Sequence, residues 1–129
     1  MAKSDKIKLD KFFAALADRT RLRLINLMRD GEVCVCFFAE TLDTNNPKIS
    51  RHLSYLKRAG LVSARRDGKW SHYRLTPPKD PHVSEMFNAL LQTFEIDAEM
   101  QKDRVALDTV CCSPRNPFVA ITKSKHDDQ

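Results

Sequence analysis

Residues 46–60, Asn46-Pro47-Lys48-Ile49-Ser50-Arg51-His52-Leu53-Ser54-Tyr55-Leu56-Lys57-Arg58-Ala59-Gly60, read as one helix with both ends marked. Asn46 is the expected cap, and Pro47 fits the first helical position because its missing N–H would go unused there. Gly60 supplies the stop. Ile49, Leu53 and Leu56 fall on one stripe, whereas Arg51, Ser54 and Arg58 project roughly 140 to 200° round from Ile49 at 3.6 residues per turn. One face is core and the other is polar and basic. The next segments, 61–66 and 70–75, alternate apolar and polar residues and are separated by Asp67-Gly68, a strong hairpin signal. Just upstream, residues 33–43 read as a short helix carrying Cys34, Cys36, Phe38 and Leu42, with a turn over 43–46. Two helices joined by a tight turn and followed by a basic hairpin predict a winged helix-turn-helix, mainly α with a small β-hairpin.

Working outward, Leu9, Phe12, Phe13 and Leu16 recur at helical spacing, and Asp18 is placed to cap a second helix bearing Leu22, Ile25, Leu27 and Met28 that ends at Gly31. Beyond Pro77, Pro78 and Pro81, the residues Val83, Met86, Phe87, Leu90, Leu91 and Phe94 trace an apolar stripe along a long helix over about 82–107. The expected total is about five helices. A stripe outside the DNA-binding unit must pack on something, and the first helix (Leu9, Phe12, Phe13) together with a second copy of the chain offers the surface. A homodimer is expected; helix-on-helix packing within a monomer is the alternative. The expected organisation is a DNA-binding and dimerisation domain over 1–110 (helix-turn-helix about 33–60, wing about 61–76), followed by a tail, 111–129, that opens with Cys111 and Cys112.

The chain has 129 residues, 42% of them apolar, a mean hydropathy of −0.47 and a net charge of +5. That composition suits one soluble domain. The longest wholly apolar run, Val33 to Ala39, is far short of the roughly 20 residues that span a bilayer. The lysine-rich N-terminus has no apolar stretch behind it, so the expected location is the cytoplasm, with cysteines kept as thiols. Three glycines and no glycine-rich phosphate loop or nucleophile elbow remove support from nucleotide-binding and hydrolase functions.

Charge is unevenly spread. Between Thr44 and Thr76 lie Lys48, Arg51, Lys57, Arg58, Arg65, Arg66, Lys69 and Arg74 against the single acid Asp67. Such a concentration suits a polyanion. On the outer face of the reading helix, Arg51 flanked by Ser50 and Ser54, with Lys48 in the first turn, is placed for the major groove of duplex DNA. Arg65, Arg66 and Lys69 on the wing suit phosphates, and Tyr55 suits either role. His52, Trp70 and His72 read as structural.

Leu16-Ala17-Asp18-Arg19-Thr20-Arg21-Leu22, Pro47-Lys48-Ile49-Ser50-Arg51-His52-Leu53, Ala59-Gly60-Leu61-Val62 and Gly68-Lys69-Trp70-Ser71-His72-Tyr73-Arg74-Leu75 together resemble the ArsR/SmtB family of metal-responsive repressors over about residues 9–76. Glu32-Val33-Cys34-Val35-Cys36 resembles the arsenical repressors and the related cadmium/lead sensors, whose inducer site opens with the same Cys-Val-Cys. The resemblance implies a homodimer that binds an operator and releases it when a soft metal or metalloid binds. Arsenical repressors usually continue Asp-Leu-Cys, whereas this chain has Phe37-Phe38-Ala39, so the third thiolate position is Ala39. The cadmium/lead sensors take cysteines from an N-terminal extension, and residues 1–33 here hold none.

Trivalent arsenic and antimony are soft centres that select thiolates. Cys34 and Cys36 make an incomplete set for inorganic As(III), so a third sulfur is expected from Cys111 or Cys112, of the same subunit or of the partner. In an unbroken helix Cys34 and Cys36 would project about 200° apart, so capture of one ion by both is expected to unwind that turn. As(III) or Sb(III) is the expected inducer, with no organic cofactor. Alternatives are a Cd(II)/Pb(II) sensor on the same fold, a two-thiol site for a methylated arsenical, a thiol redox switch, and a thiol enzyme such as an arsenate reductase, which the absence of Cys-x-x-Cys disfavours.

Overall fold

In a computed structural model, which describes residues 8–111, the helices α1 (Leu9–Leu16) and α2 (Arg19–Leu27) are followed by a two-residue strand β1 (Val33–Cys34) and by α3 (Val35–Thr41). The reading helix α4 (Asn46–Arg58) leads into β2 (Val62–Asp67) and β3 (Trp70–Leu75). The chain then forms α5 (Pro81–Thr93), a 3₁₀ turn (Phe94–Ile96) and α6 (Ala98–Cys111). This is a winged helix-turn-helix.

The local signals act as their chemistry requires. The Asp18 side chain accepts from the Arg21 N–H at 3.1 Å at the start of α2. At α4 the cap is Asn45, not Asn46: its side chain accepts from the Lys48 N–H at 2.9 Å, so the helix begins one residue earlier than expected. Gly60, at φ +80°, turns the chain out of α4 in a conformation that side chains resist. Asp67 pairs with Trp70, so the wing turns on Gly68 and Lys69, with Gly68 at φ +64°.

Three expectations are corrected. The segment predicted as one helix over 33–43 begins as a strand, because Val33 and Cys34 pair antiparallel with Tyr73 and His72. The hairpin is therefore a three-stranded sheet in the order β1-β3-β2, with the second wing strand at its centre. The long helix over 82–107 is broken after Thr93, giving six α-helices among the described residues rather than five, because Asp97 caps a new helix by accepting from the Met100 N–H at 3.1 Å.

Ile49, Leu53 and Leu56 are fully buried in one core that also holds Leu24, Ile25 and Phe38, while Arg51, Ser54 and Arg58 stand exposed. Each such apolar side chain contributes about 1.5–3 kcal/mol by leaving water, which fixes the roll of the reading helix. Phe12, Val83, Phe87 and Phe94, expected at a dimer surface, are buried within the subunit; Leu9, Phe13 and Met86 remain exposed, and Leu90 and Leu91 are half-buried. Breaking the chain at 94–97 lets α6 fold back on α2 and α3, which turns part of the stripe inward.

Candidate functional site

Two groups of residues carry chemistry, and the sheet joins them. The first is the basic face. Lys48, Ser50, Arg51 and Ser54 are exposed on α4, and Arg66 and Lys69 are exposed on the wing, with the Lys69 ammonium 5.2 Å from the centre of the Trp70 ring. Two residues of the predicted DNA set are engaged inside the subunit. The ring of Tyr55 is half-buried under the Arg21 guanidinium, 4.0 Å from its centre. Arg65 grips the Glu32 carboxylate with two nitrogens, at 2.7–3.0 Å. That hydrogen-bonded pair holds the Glu32 carboxyl below the usual carboxylate range.

The second group is the thiols. Cys34 is buried on β1 at the residue preceding α3; Cys36 is half-buried in the first turn, and the two sulfurs lie 3.0 Å apart. The expected 200° divergence is overturned, because an extended Cys34 swings its side chain back toward Cys36. Two thiolates sharing an ion at bonds of about 2.3 Å sit within about 4.6 Å of each other, so this pair fits a thiophilic centre without unwinding a helix. Among the described residues no group of three potential ligands forms around a common point. Cys111 is the last residue of α6, and its side chain and all of Cys112 lie outside the described residues.

Cys34 pairs with His72 on β3, and His72 pairs in turn with Arg65 on β2. One cross-strand row thus runs from a thiol to the wing, and Glu32, two residues before Cys34, closes it back onto Arg65. Sequence reading missed Arg21 and Glu32 as contributors. Arg21 lies inside a quoted motif, but two of its partners, His52 and Tyr55, lie more than thirty positions away in α4 and are adjacent only in the fold.

Residues 18–64 match the model of the bacterial regulatory proteins of the arsR family. The arsenical resistance operon repressor of Escherichia coli K12 is 50% identical over 68 residues, which are 52% of this chain and 58% of that protein. The chain thus spans little more than half of that relative. The arsenic resistance transcriptional regulator ArsR2 of Pseudomonas putida KT2440 is 37% identical over 108 residues, 78% of this chain and 94% of that one. Among solved structures, the homodimeric winged helix-turn-helix DNA-binding domain of a possible ArsR-family regulator from Mycobacterium bovis matches with a TM-score of 0.55 at 31% identity, covering 72% of this chain and 82% of that one. The order of elements, the basic reading helix, the Cys-Val-Cys at the start of α3 and these likenesses make one case: the chain belongs to the arsR family of bacterial regulatory proteins, in its arsenical-resistance branch.

Proposed function

We propose that this protein is a cytoplasmic, homodimeric transcriptional repressor that holds operator DNA and releases it when trivalent arsenic or antimony is captured by its cysteines. The observation that carries the reading is the Cys34–Cys36 pair, 3.0 Å apart on a strand of the wing sheet itself. When bound, the inducer supplies a thiophilic centre for which Cys34 and Cys36 are the described ligands. A third sulfur comes from the end of α6. That helix starts beside the C-terminal end of α3, where Thr41, Leu42 and Asp43 face Ala98, Glu99 and Lys102 across a groove. From Lys102 to Cys111 a helix rises about 13 Å, against about 10 Å from Thr41 back to Cys34, so α6 is long enough to bring Cys111 level with the pair.

Lys48, Ser50, Arg51 and Ser54 enter the major groove, and Arg66 and Lys69 hold phosphates. Leu9, Phe13 and Met86, with Leu90 and Leu91, form the face that meets the second copy. A pair of readers binds well only when their separation matches the duplex repeat. Capture at Cys34 pulls on β3 through the β1–β3 pairing and displaces the wing. A coupling of about 1–3 kcal/mol lowers operator affinity about 5- to 150-fold.

A second reading, a redox switch, is favoured by the same short distance: peroxide oxidises the two thiols to a disulfide and is itself reduced to water. The test is fluorescence anisotropy of labelled operator, titrated with protein and then with As(III), Sb(III), Cd(II) or peroxide, on the native chain and on Cys34→Ser/Cys36→Ser and Cys111→Ser/Cys112→Ser. The metalloid reading expects release by As(III) from the native chain and none from the first variant. Normal release from that variant overturns it; release by peroxide alone selects the redox switch.

A further inference from the structure

Arg21 is the most heavily engaged side chain near the reading helix, and the function described so far leaves it without a role. Its side chain is only 11% exposed. Its Nε–H donates to the Ala15 carbonyl at 2.8 Å and an Nη–H donates to the Ala14 carbonyl at 3.0 Å, both in the last turn of α1. The other Nη lies 3.3 Å from Nδ1 of His52, and the guanidinium carbon lies 4.0 Å from the centre of the Tyr55 ring. His52 and Tyr55 are three apart on α4, so they share a face, and one planar cation spans from that face to the end of α1. α1 is also the helix that exposes Leu9 and Phe13.

We infer that Arg21 is a positioning residue that ties the dimer-facing helix α1 to the reading helix α4, and so sets the half-site spacing that the protein accepts; Tyr55 contributes through the face of its ring, as the seat for that guanidinium, rather than by its hydroxyl on DNA. The inference rests on the homodimeric reading. Its chemistry needs the guanidinium fork: the carbonyls at the C-terminal end of α1 draw two parallel N–H donors, and the ring's negative face draws the plane of the cation. An ammonium group cannot meet both at once. Nothing in this arrangement needs contact between Arg21 and DNA.

The experiment uses the full chain and a duplex selected by it from random-sequence DNA, with versions carrying one base pair inserted at or removed from the centre, and an unrelated duplex of equal length. The native chain is expected to bind the selected duplex at least about tenfold tighter than either spacing variant. Arg21→Ala is expected to lose most of that discrimination, while its affinity for the unrelated duplex and its salt slope stay unchanged. A direct phosphate contact would instead weaken all duplexes together and lower the slope by about one. Tyr55→Phe is expected to behave as the native chain and Tyr55→Leu as Arg21→Ala, which keeps the test decisive should the Arg21 variant fold poorly. Retained discrimination in Arg21→Ala or Tyr55→Leu overturns the inference, as does an equal loss in Tyr55→Phe and Tyr55→Leu. Sedimentation of the native chain separates the two levels: a monomer without spacing preference overturns the paired-reader reading and this inference with it.

Discussion

His52 shows how one residue gathers several constraints. Burial holds its imidazole below the ordinary value; Asp18 opposes that shift, while Arg21, Lys48 and Arg51 reinforce it. With Nδ1 facing an Arg21 N–H donor, the neutral ring carries its proton on Nε2. A folded-state pKa below the unfolded value of about 6.5 gives stability that is complete above that value and lost as pH falls through it toward the folded pKa. The urea midpoint of the native chain is therefore expected to drop between pH 7.5 and pH 5.5, and that of His52→Gln to drop less. Equal losses would assign the acid sensitivity to other groups. The structural reading of His52 agrees with its half-buried position, but its partner Arg21 in α2 lies beyond local reasoning.

At the scale of elements, the wing is three strands, and its inner edge carries a thiol. Local sequence favoured helix over 33–43 because the run is apolar without strict alternation, and a two-residue strand has no periodicity to detect; only pairing with β3 makes it one. Glu32 and Arg65 close this sheet from outside, at 2.7 Å. Both are partly exposed, so the pair contributes little to stability. Its consequence is electrostatic: while Glu32 holds it, Arg65 is withheld from phosphates. Glu32→Gln is expected to raise affinity for non-specific duplex DNA several-fold and to steepen the salt slope by about one, the signature of an added phosphate contact. An unchanged slope would mean that Arg65 acts on DNA while still paired.

Across the whole molecule, α6 is clamped to α2 by charge. Arg19 meets Asp97 and Glu99 at 2.7 Å, Arg23 meets Asp103 at 2.7 and 2.9 Å, Arg104 pairs with Asp30, and the buried Asn26 amide donates to the Met100 carbonyl at 2.9 Å. The exposed pairs contribute less than about 1 kcal/mol each. Asp103 differs, because it is 4% exposed. Asp103→Ala leaves Arg23 only its longer contact with Glu99, at 3.6 Å, and is expected to cost roughly 2 kcal/mol of unfolding free energy in urea titrations; a loss below about 1 kcal/mol would show that α6 packs independently of this pair. Caps, turns and apolar spacing act over a few residues, so the winged helix-turn-helix, the roll of the reading helix, the basic surface and the candidate thiols are legible along the chain. Which apolar residues face inward, how the two sulfurs meet and which arginines already have partners emerge only in the folded chain. Those outcomes depend on contacts between segments tens of residues apart, and burial, ion pairing and strand pairing are settled only when such segments meet.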